Sequence, residues 1–409
     1  MKSGGVISDP SQRGSLESEL QHFRTENTAQ RFTVDGTPAL EQRLHDICSR
    51  VLERVQQVIP ARKLEALILG GGYGRGEGGV FKSPFGEVPY NDLEFYVFLR
   101  GNRLLNERRY QEVLRGLEVE LSPEAGVHVE FKIDSFERFR RSPVSMFSYD
   151  LVAGHRTLFA PDGEFPGCAH HLEASRIPLH EATRLLMNRY TGLLMVMEIV
   201  DRQSGGWNDE QFDFVERNLA KAQLAMGDAV LTAFGEYHWS CIERHSRICR
   251  LAEAGKLPVD FLRRYHATGK EFKLHPIESD SSEIQLRDLS IRIASRAYKV
   301  WSWLESRRLG REFASPEEYA FAQVAKCPEC SPLHAFLVNC RTFGMRSLFD
   351  RQSFRYPRER LLNSLPLLLW QYPSLSPEST RFLQNQLRSN GSDWHSLVAA
   401  YKAMWPRFS

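Results

Sequence analysis

Asp92 and Glu94 are separated by one residue in the stretch Asn91-Asp92-Leu93-Glu94-Phe95. Positions two apart on a strand point to the same face, which puts the two carboxylates roughly 7 Å apart along the backbone. Like charges this close repel unless a cation lies between them, and hard oxygen ligands of this kind suit Mg²⁺. Just upstream runs Leu69-Gly70-Gly71-Gly72-Tyr73-Gly74-Arg75-Gly76-Glu77-Gly78-Gly79. Glycine lets backbone N–H groups approach an anion closely, and Arg75 offers a bidentate phosphate contact. A phosphate cradle beside a magnesium pair is the chemistry of phosphoryl transfer. A third carboxylate would complete a two-metal arrangement, one ion activating the attacking oxygen and the other steadying the triphosphate. Glu130 and Asp134 are the candidates, on the polar face of a later strand with His128 and Lys132. Glu130 is preferred because it is centred in the apolar alternation, whereas Asp134 stands at the strand's exit.

The elements that must position these groups follow from periodicity. Leu40, Leu44, Ile47, Val51 and Val55 repeat at helical spacing between Ala39 and Val58. Ala66-Leu67-Ile68-Leu69 reads as a buried strand running into the glycines. Leu93, Phe95, Val97 and Leu99 alternate as a second strand, and Val127, Val129, Phe131 and Ile133 as a third, with helical spacing over Glu107 to Leu121 between them. Pro161-Asp162-Gly163 opens a Gly, Pro and His-rich linker reaching about Pro178. Beyond it the patterns are helical. Thr183 to Val200 is apolar on most faces except for the stripe Arg184, Asn188 and Thr191, which suits either a cleft or an interhelical hydrogen-bond network. Asn208 with Gln211 forms a capping pair, from which one long helical pattern runs towards Cys249. Ser315-Pro316 and Ser376-Pro377 start further helices.

In this order (strand, Gly-Gly with a following Gly-Arg-Gly, Asp-x-Glu on a strand, a single acid on a later strand) the chain resembles the polymerase-beta-type nucleotidyltransferase superfamily over roughly residues 64 to 160. The resemblance implies an α/β (α+β) domain with a mixed sheet, followed by an all-α C-terminal domain. It implies that Gly71 and Gly72 hold the triphosphate of a nucleoside triphosphate, that Asp92 and Glu94 bind two Mg²⁺ ions, and that Glu130 assists as third ligand or base. Phe147 to Phe159 resembles the strand and helix that close such domains. Three features depart from the pattern: Gly71-Gly72 replaces the usual Gly-Ser, a loop around Phe81 to Pro89 lengthens the path to Asp92, and the second acid is Glu. The expected reaction is Mg²⁺-dependent transfer of a nucleoside monophosphate to a hydroxyl-type acceptor with release of pyrophosphate, in a cleft between the α/β domain and the helices after Pro178. The departures motivate an alternative, a non-catalytic nucleotide-binding or regulatory protein that retains the transferase fold. Lys221, seven residues before Asp228, is a further candidate for a nucleotide phosphate, although a solvated face explains both residues.

Other readings meet obstacles in the residues. Gly74 to Gly79 satisfies the dinucleotide pattern GxGxxG, but Pro84, Gly86 and Pro89 prevent the helix that it requires. A phosphate loop needs a Gly-Lys-Ser/Thr ending, which is missing. Cys327, Cys330, His334 and Cys340 have the residue types of a zinc site at unpersuasive spacing. A net charge of +2 gives no electrostatic case for nucleic acid or a membrane surface, and no apolar run approaches membrane-spanning length. With seven scattered cysteines and a polar start lacking a signal-peptide core, the expectation is a cytoplasmic protein. At 409 residues the chain is long for one core. The expected division is a flexible arm over residues 1–36, a catalytic domain over 37–165, a linker over 166–180 and a helical domain over 181–409, with a break near 255–285 left open.

Overall fold

The computed structural model describes residues 31–84, 86–201, 206–277, 281–344 and 352–408. The chain divides into two compact units. One runs to Arg176 and takes in His238–Glu243 and Lys273–Ile277; the other holds Ile177–Tyr237, Arg244–Phe272 and the remainder. Among the described residues no helix is long and apolar enough to cross a membrane.

The first unit is mixed α/β. Helix α1 (Pro38–Val58) begins where the Thr37 side chain accepts from the Leu40 amide and Pro38 fills the first turn, and it buries Leu40, Leu44, Ile47, Val51 and Val55. Strand β1 (Leu64–Leu69) leads into a single helical turn, α2 (Gly71–Gly74), then a hairpin of β2 (Val80–Ser83) and β3 (Gly86–Pro89), and strand β4 (Leu93–Leu99). Helix α3 (Arg103–Ala125), capped by Asn102 and closed by Gly126 at φ 76°, crosses to β5 (Val129–Asp134). Helices α4 (Phe136–Arg141) and α5 (Met146–Ala153) precede β6 (Arg156–Phe159).

The sheet order is β5-β4-β1-β6, with β4 antiparallel to β1 and parallel to β5. Leu93, Phe95, Val97, Val129 and Phe131 pack with α1 and α3 on one face. Ala66, Ile68, Tyr96 and Phe98 face Phe136, Phe139, Leu151, Phe165 and Cys168 on the other. Two corrections to the expected boundaries follow. Phe32 and Thr33 are buried, Thr33 bridges Gly78, and the Arg156 guanidinium covers the Phe32 ring at 3.6 Å, so Phe32 and Thr33 are anchored on the core and are not part of a flexible arm. The residues before Arg31 lie outside those described. The expected linker is likewise anchored over its first part: Phe165, Cys168 and His171 are buried, and Phe165 lies edge-on to Phe98 at 5.5 Å. A bulky ring within a polar stretch gains more by closing the sheet's second face than by staying in water.

The second unit is helical. The helices after β6 are α6 (Leu179–Asp201), α7 (Asp209–Ala233), α8 (Cys241–Glu253), α9 (Leu262–Leu274), α10 (Glu283–Leu309), α11 (Pro316–Phe321), α12 (Pro332–Phe343), α13 (Arg358–Trp370), α14 (Pro377–Leu387) and α15 (Trp394–Phe408). Asn208 and Gln211 form the reciprocal capping box of α7, and Ser315 and Ser376 cap α11 and α14. The long pattern towards Cys249 is two helices, because the chain turns at Gly235 (φ 71°) before α8 starts. One apolar core runs from Ala182 to Phe408. Within it the fully buried Glu305 accepts from Thr183 Oγ1 at 2.6 Å, the Tyr319 hydroxyl at 2.8 Å and two nitrogens of Arg308 at 2.8 and 2.6 Å, which satisfies its charge. The polar stripe on α6 serves the network reading in part: Thr191 bonds the Tyr401 hydroxyl at 2.8 Å, Arg184 pairs with Glu181, and Asn188 is exposed.

Candidate active site

The carboxylates sit where β4 and β5 run side by side. Parallel pairing places Glu94 directly opposite Glu130. Both lie on the face that carries Tyr96 and Lys132, as the alternation from Leu93 and Val129 requires. Two carboxylates on adjacent strands need a counter-charge, and Lys132 supplies it: its Nζ lies 2.8 Å from Glu94 Oε2 and 2.9 Å from Glu130 Oε2. The Tyr96 hydroxyl donates to the same Glu94 oxygen at 2.9 Å. Burial opposes the charge on Glu94, but Lys132, Tyr96 and Arg75 outweigh it and hold the carboxyl below its ordinary range. The same pairing raises Lys132 above the usual lysine value against the opposing effect of burial.

The glycine turn lies against this pair. The Gly70 amide donates to the Glu94 carbonyl at 2.9 Å. Gly71 has φ +62°, and a Cβ there would stand 2.9 Å from Glu94 Oε1. At Gly74 a Cβ would stand 2.1 Å from the Leu69 carbonyl oxygen, so the backbone folds onto itself where only glycine fits. Gly71→Ala is therefore expected to cost about 1–2 kcal/mol through the left-handed backbone and to displace the Glu94 carboxylate. Urea unfolding checks the first effect and a chemical-shift change at Glu94 the second.

Tyr73 latches the turn to the approach of β4. Its buried hydroxyl donates to the Gly79 carbonyl at 2.8 Å and accepts from the Tyr90 amide at 2.9 Å, while Asn91 Oδ1 accepts from the Gly79 amide at 3.0 Å. Asp92 follows, exposed and one residue ahead of β4. Burial, with a contribution from the Asp92 charge, pushes the Tyr73 phenol well above its usual value. The stretch expected as a loop from Phe81 to Pro89 is the β2–β3 hairpin, in which Val80 pairs with Pro89 and Ser83 with Gly86. Beside Glu130 and Lys132 opens a cavity of about 370 Å³, whose walls include Tyr96, Arg103 and Phe147.

The structure thus joins Gly71, Glu94 and Glu130 in one place and sets Asp92 at the strand entry. Gly72 follows Gly71 in the turn and packs on the Glu77 carbonyl. Three expectations are met differently. Among the described residues no three His, Cys, Asp or Glu side chains gather as a metal-ligand group, and the Lys132 ammonium stands between Glu94 and Glu130. Arg75 forms an ion pair with Asp150 at 3.0 Å inside the unit. Lys221 is exposed on α7 of the second unit, and Asp228 is buried against Arg244 and His266. The candidate zinc residues also stay apart in role: Cys327 is buried with its amide donating to Glu359, and the His334 ring stacks on Tyr356. Tyr73, Asn91, Tyr96 and Lys132 were not singled out for roles here. Of these, only Lys132 carried a signal, its place between Glu130 and Asp134 on the polar face of β5. No protein-family model, no curated protein and no solved structure matches the chain.

Proposed function

We propose that the chain is a Mg²⁺-dependent nucleotidyltransferase of the polymerase-beta type, moving a nucleoside monophosphate from a nucleoside triphosphate to a hydroxyl-type acceptor with release of pyrophosphate. The observation that supports this reading is the in-register pairing of Glu94 with Glu130 beside a turn that admits only glycine. Three carboxylates are the donor chemistry of a hard divalent cation. The locus between two of them already holds a positive charge, on a lysine that is 38% exposed and carried by a flexible stem, so a magnesium ion would replace the Lys132 ammonium between Glu94 and Glu130, with Asp92 brought in as the third oxygen donor. Asp92, Glu94 and Glu130 would hold the metal, which when bound neutralises charge on the triphosphate and leaving group.

The chain's own residues do the remaining work by positioning and charge. The Gly71 and Gly72 backbone would receive phosphate oxygens, since no Cβ stands in the way. A displaced Lys132 becomes a cation for the same phosphates. Glu130, which borders the cavity, would accept the proton of an acceptor hydroxyl bound there. Tyr96 and Phe147, with ring centroids 5.5 Å apart, give that cavity an apolar wall.

A second reading, a non-catalytic protein that keeps the transferase fold, draws on the same lysine: its pairs with Glu94 and Glu130, with the Arg75–Asp150 pair, neutralise the site without a metal. Calorimetry with ATP, GTP, CTP and UTP, each with and without Mg²⁺, separates the two. Nucleotide binding that requires Mg²⁺ supports the transferase; binding indifferent to Mg²⁺, or none, favours the second reading.

A further inference from the structure

An open cavity of about 700 Å³ runs along the C-terminal half of α10 in the second unit, within the size range of small-molecule sites and larger than the 370 Å³ beside Glu130. Its wall is one face of the helix. Tyr298, Ser302 and Ser306 recur at every fourth position, with Lys299, Trp303 and Arg307 beside them. The chain then reverses at Gly310 (φ 64°), so that Arg311 and Phe313 close the far edge. That edge is fixed by its own contacts. The Arg311 amide donates to the Ser306 carbonyl at 3.2 Å, Ser302 Oγ donates to the Phe313 carbonyl at 3.3 Å, and the buried Phe313 ring lies edge-on to Tyr319 at 5.2 Å.

The wall carries rings and an excess of positive charge. Lys299, Arg307 and Arg311 line it against a single acid, Glu312. Arg311 is engaged by Glu318 at 3.2 Å, whereas Lys299 and Arg307 are exposed and form no ion pair among the described residues. A basic residue in the last turn complements the helix dipole, which accounts for Arg307. That effect fades within one turn and leaves Lys299, well before the helix end, without a reason. Between the two cations stands Trp303, partly buried and stacked on Phe234 at 6.1 Å. The Arg307 guanidinium lies 5.7 Å from the same Phe234 ring, which keeps its charge beside the indole. Trp303 is one helical turn, about 6 Å along the axis, from Lys299 and from Arg307. A planar ring settled on the indole therefore has a cation on either side, and a guanidinium fork matches carboxylate or phosphate oxygens two at a time.

We propose that this cavity binds a small planar aromatic ligand that carries a phosphate or carboxylate group. The ring packs on Trp303, and Arg307 and Lys299 hold the anionic group. Each part needs the other. An anion alone would meet exposed cations that water and salt screen, and an uncharged ring would leave both positive charges unanswered.

The test titrates the full chain, without Mg²⁺, with 1-naphthyl phosphate, 1-naphthoate, 1-naphthol and inorganic phosphate. Binding is followed at the Trp303 indole N–H resonance, identified by its loss in Trp303→Phe. At least one of the two naphthyl anions is expected to shift that resonance, and the tighter one assigns the head group. Naphthol and inorganic phosphate should bind about tenfold more weakly or worse. Arg307→Gln and Lys299→Gln, both at exposed positions, should each weaken the anion about tenfold and leave thermal unfolding unchanged. No shift at Trp303 with either anion, naphthol binding as tightly as the anions, or undiminished anion binding in both charge variants overturns the proposal. Inorganic phosphate binding as tightly as naphthyl phosphate overturns the aromatic requirement.

Discussion

Replacement of Asp92 by asparagine is expected to lower Mg²⁺-dependent nucleotide transfer by about 10³-fold or more, in keeping with the loss of a preorganised charge at a transferring phosphoryl group, while leaving thermal unfolding unchanged. The two halves of this outcome have separate causes. Asp92 is exposed and precedes β4, so its side chain contributes little to packing, and exposed substitutions commonly stay within about 0.5 kcal/mol. Its place two residues before Glu94 is where the proposed chemistry needs a negative oxygen. Asparagine keeps the shape and removes the charge. Transfer measured as pyrophosphate release, beside a melting curve of the same preparation, checks both. Undiminished transfer in D92N would take the carboxylates out of the mechanism, whereas a lowered melting point would show that Asp92 has a structural role instead.

The second large effect is expected from Glu77, which no reading of the sequence picked out from among the glycines. Its side chain is buried, accepts from Ser240 Oγ at 2.5 Å, from the Cys241 amide at 2.8 Å and from the Ile242 amide at 3.3 Å, and lies 3.7 Å from Lys273 Nζ. Glu77→Ala removes the one acceptor that these donors share and leaves a buried ammonium unpaired, at a cost of about 3–5 kcal/mol. Burial alone would raise the carboxyl; Lys273 and the hydrogen bonds from Ser240 and Cys241 outweigh it and bring it down to about 2 from 4.5. A depressed carboxyl stabilises the fold fully above its unfolded value, and that contribution is lost as the pH falls from about 4.5 through about 2. The shift corresponds to about 3 kcal/mol. Urea unfolding of the wild type and Glu77→Gln between pH 7 and pH 2 should show curves that differ most at pH 7 and converge in acid. A constant difference across that range would show that the carboxyl is not held down in the folded state.

Much of the local structure was legible because short-range rules decide it. The Asn208–Gln211 box and the Ser-Pro starts of α11 and α14 are satisfied within one turn of chain, so their donors and acceptors are neighbours in sequence. A short apolar run placed β1, and period-2 alternation placed β4 and β5 and put Glu130 on a polar face. The hairpin inside the glycine-to-Asp92 segment was not legible, because β2 and β3 are four residues each and broken by Pro and Gly, and their pairing is stated by neither strand alone.

By itself, then, the sequence determined which residue types lie on which faces of which elements, since the pleat and the helical repeat are properties of the backbone. The tertiary structure alone decided the partners. Strand order set Glu94 opposite Glu130 and delivered Lys132 to both, while the packing of helices and loops joined Arg75 to Asp150, turned Glu77 to Ser240 and Cys241, and aligned Asp228, His266, His245 and Cys249 across three helices. Electrostatic and hydrogen-bond energies depend on distances between groups far apart in the chain, and those distances come into being only when the apolar faces have found their packing.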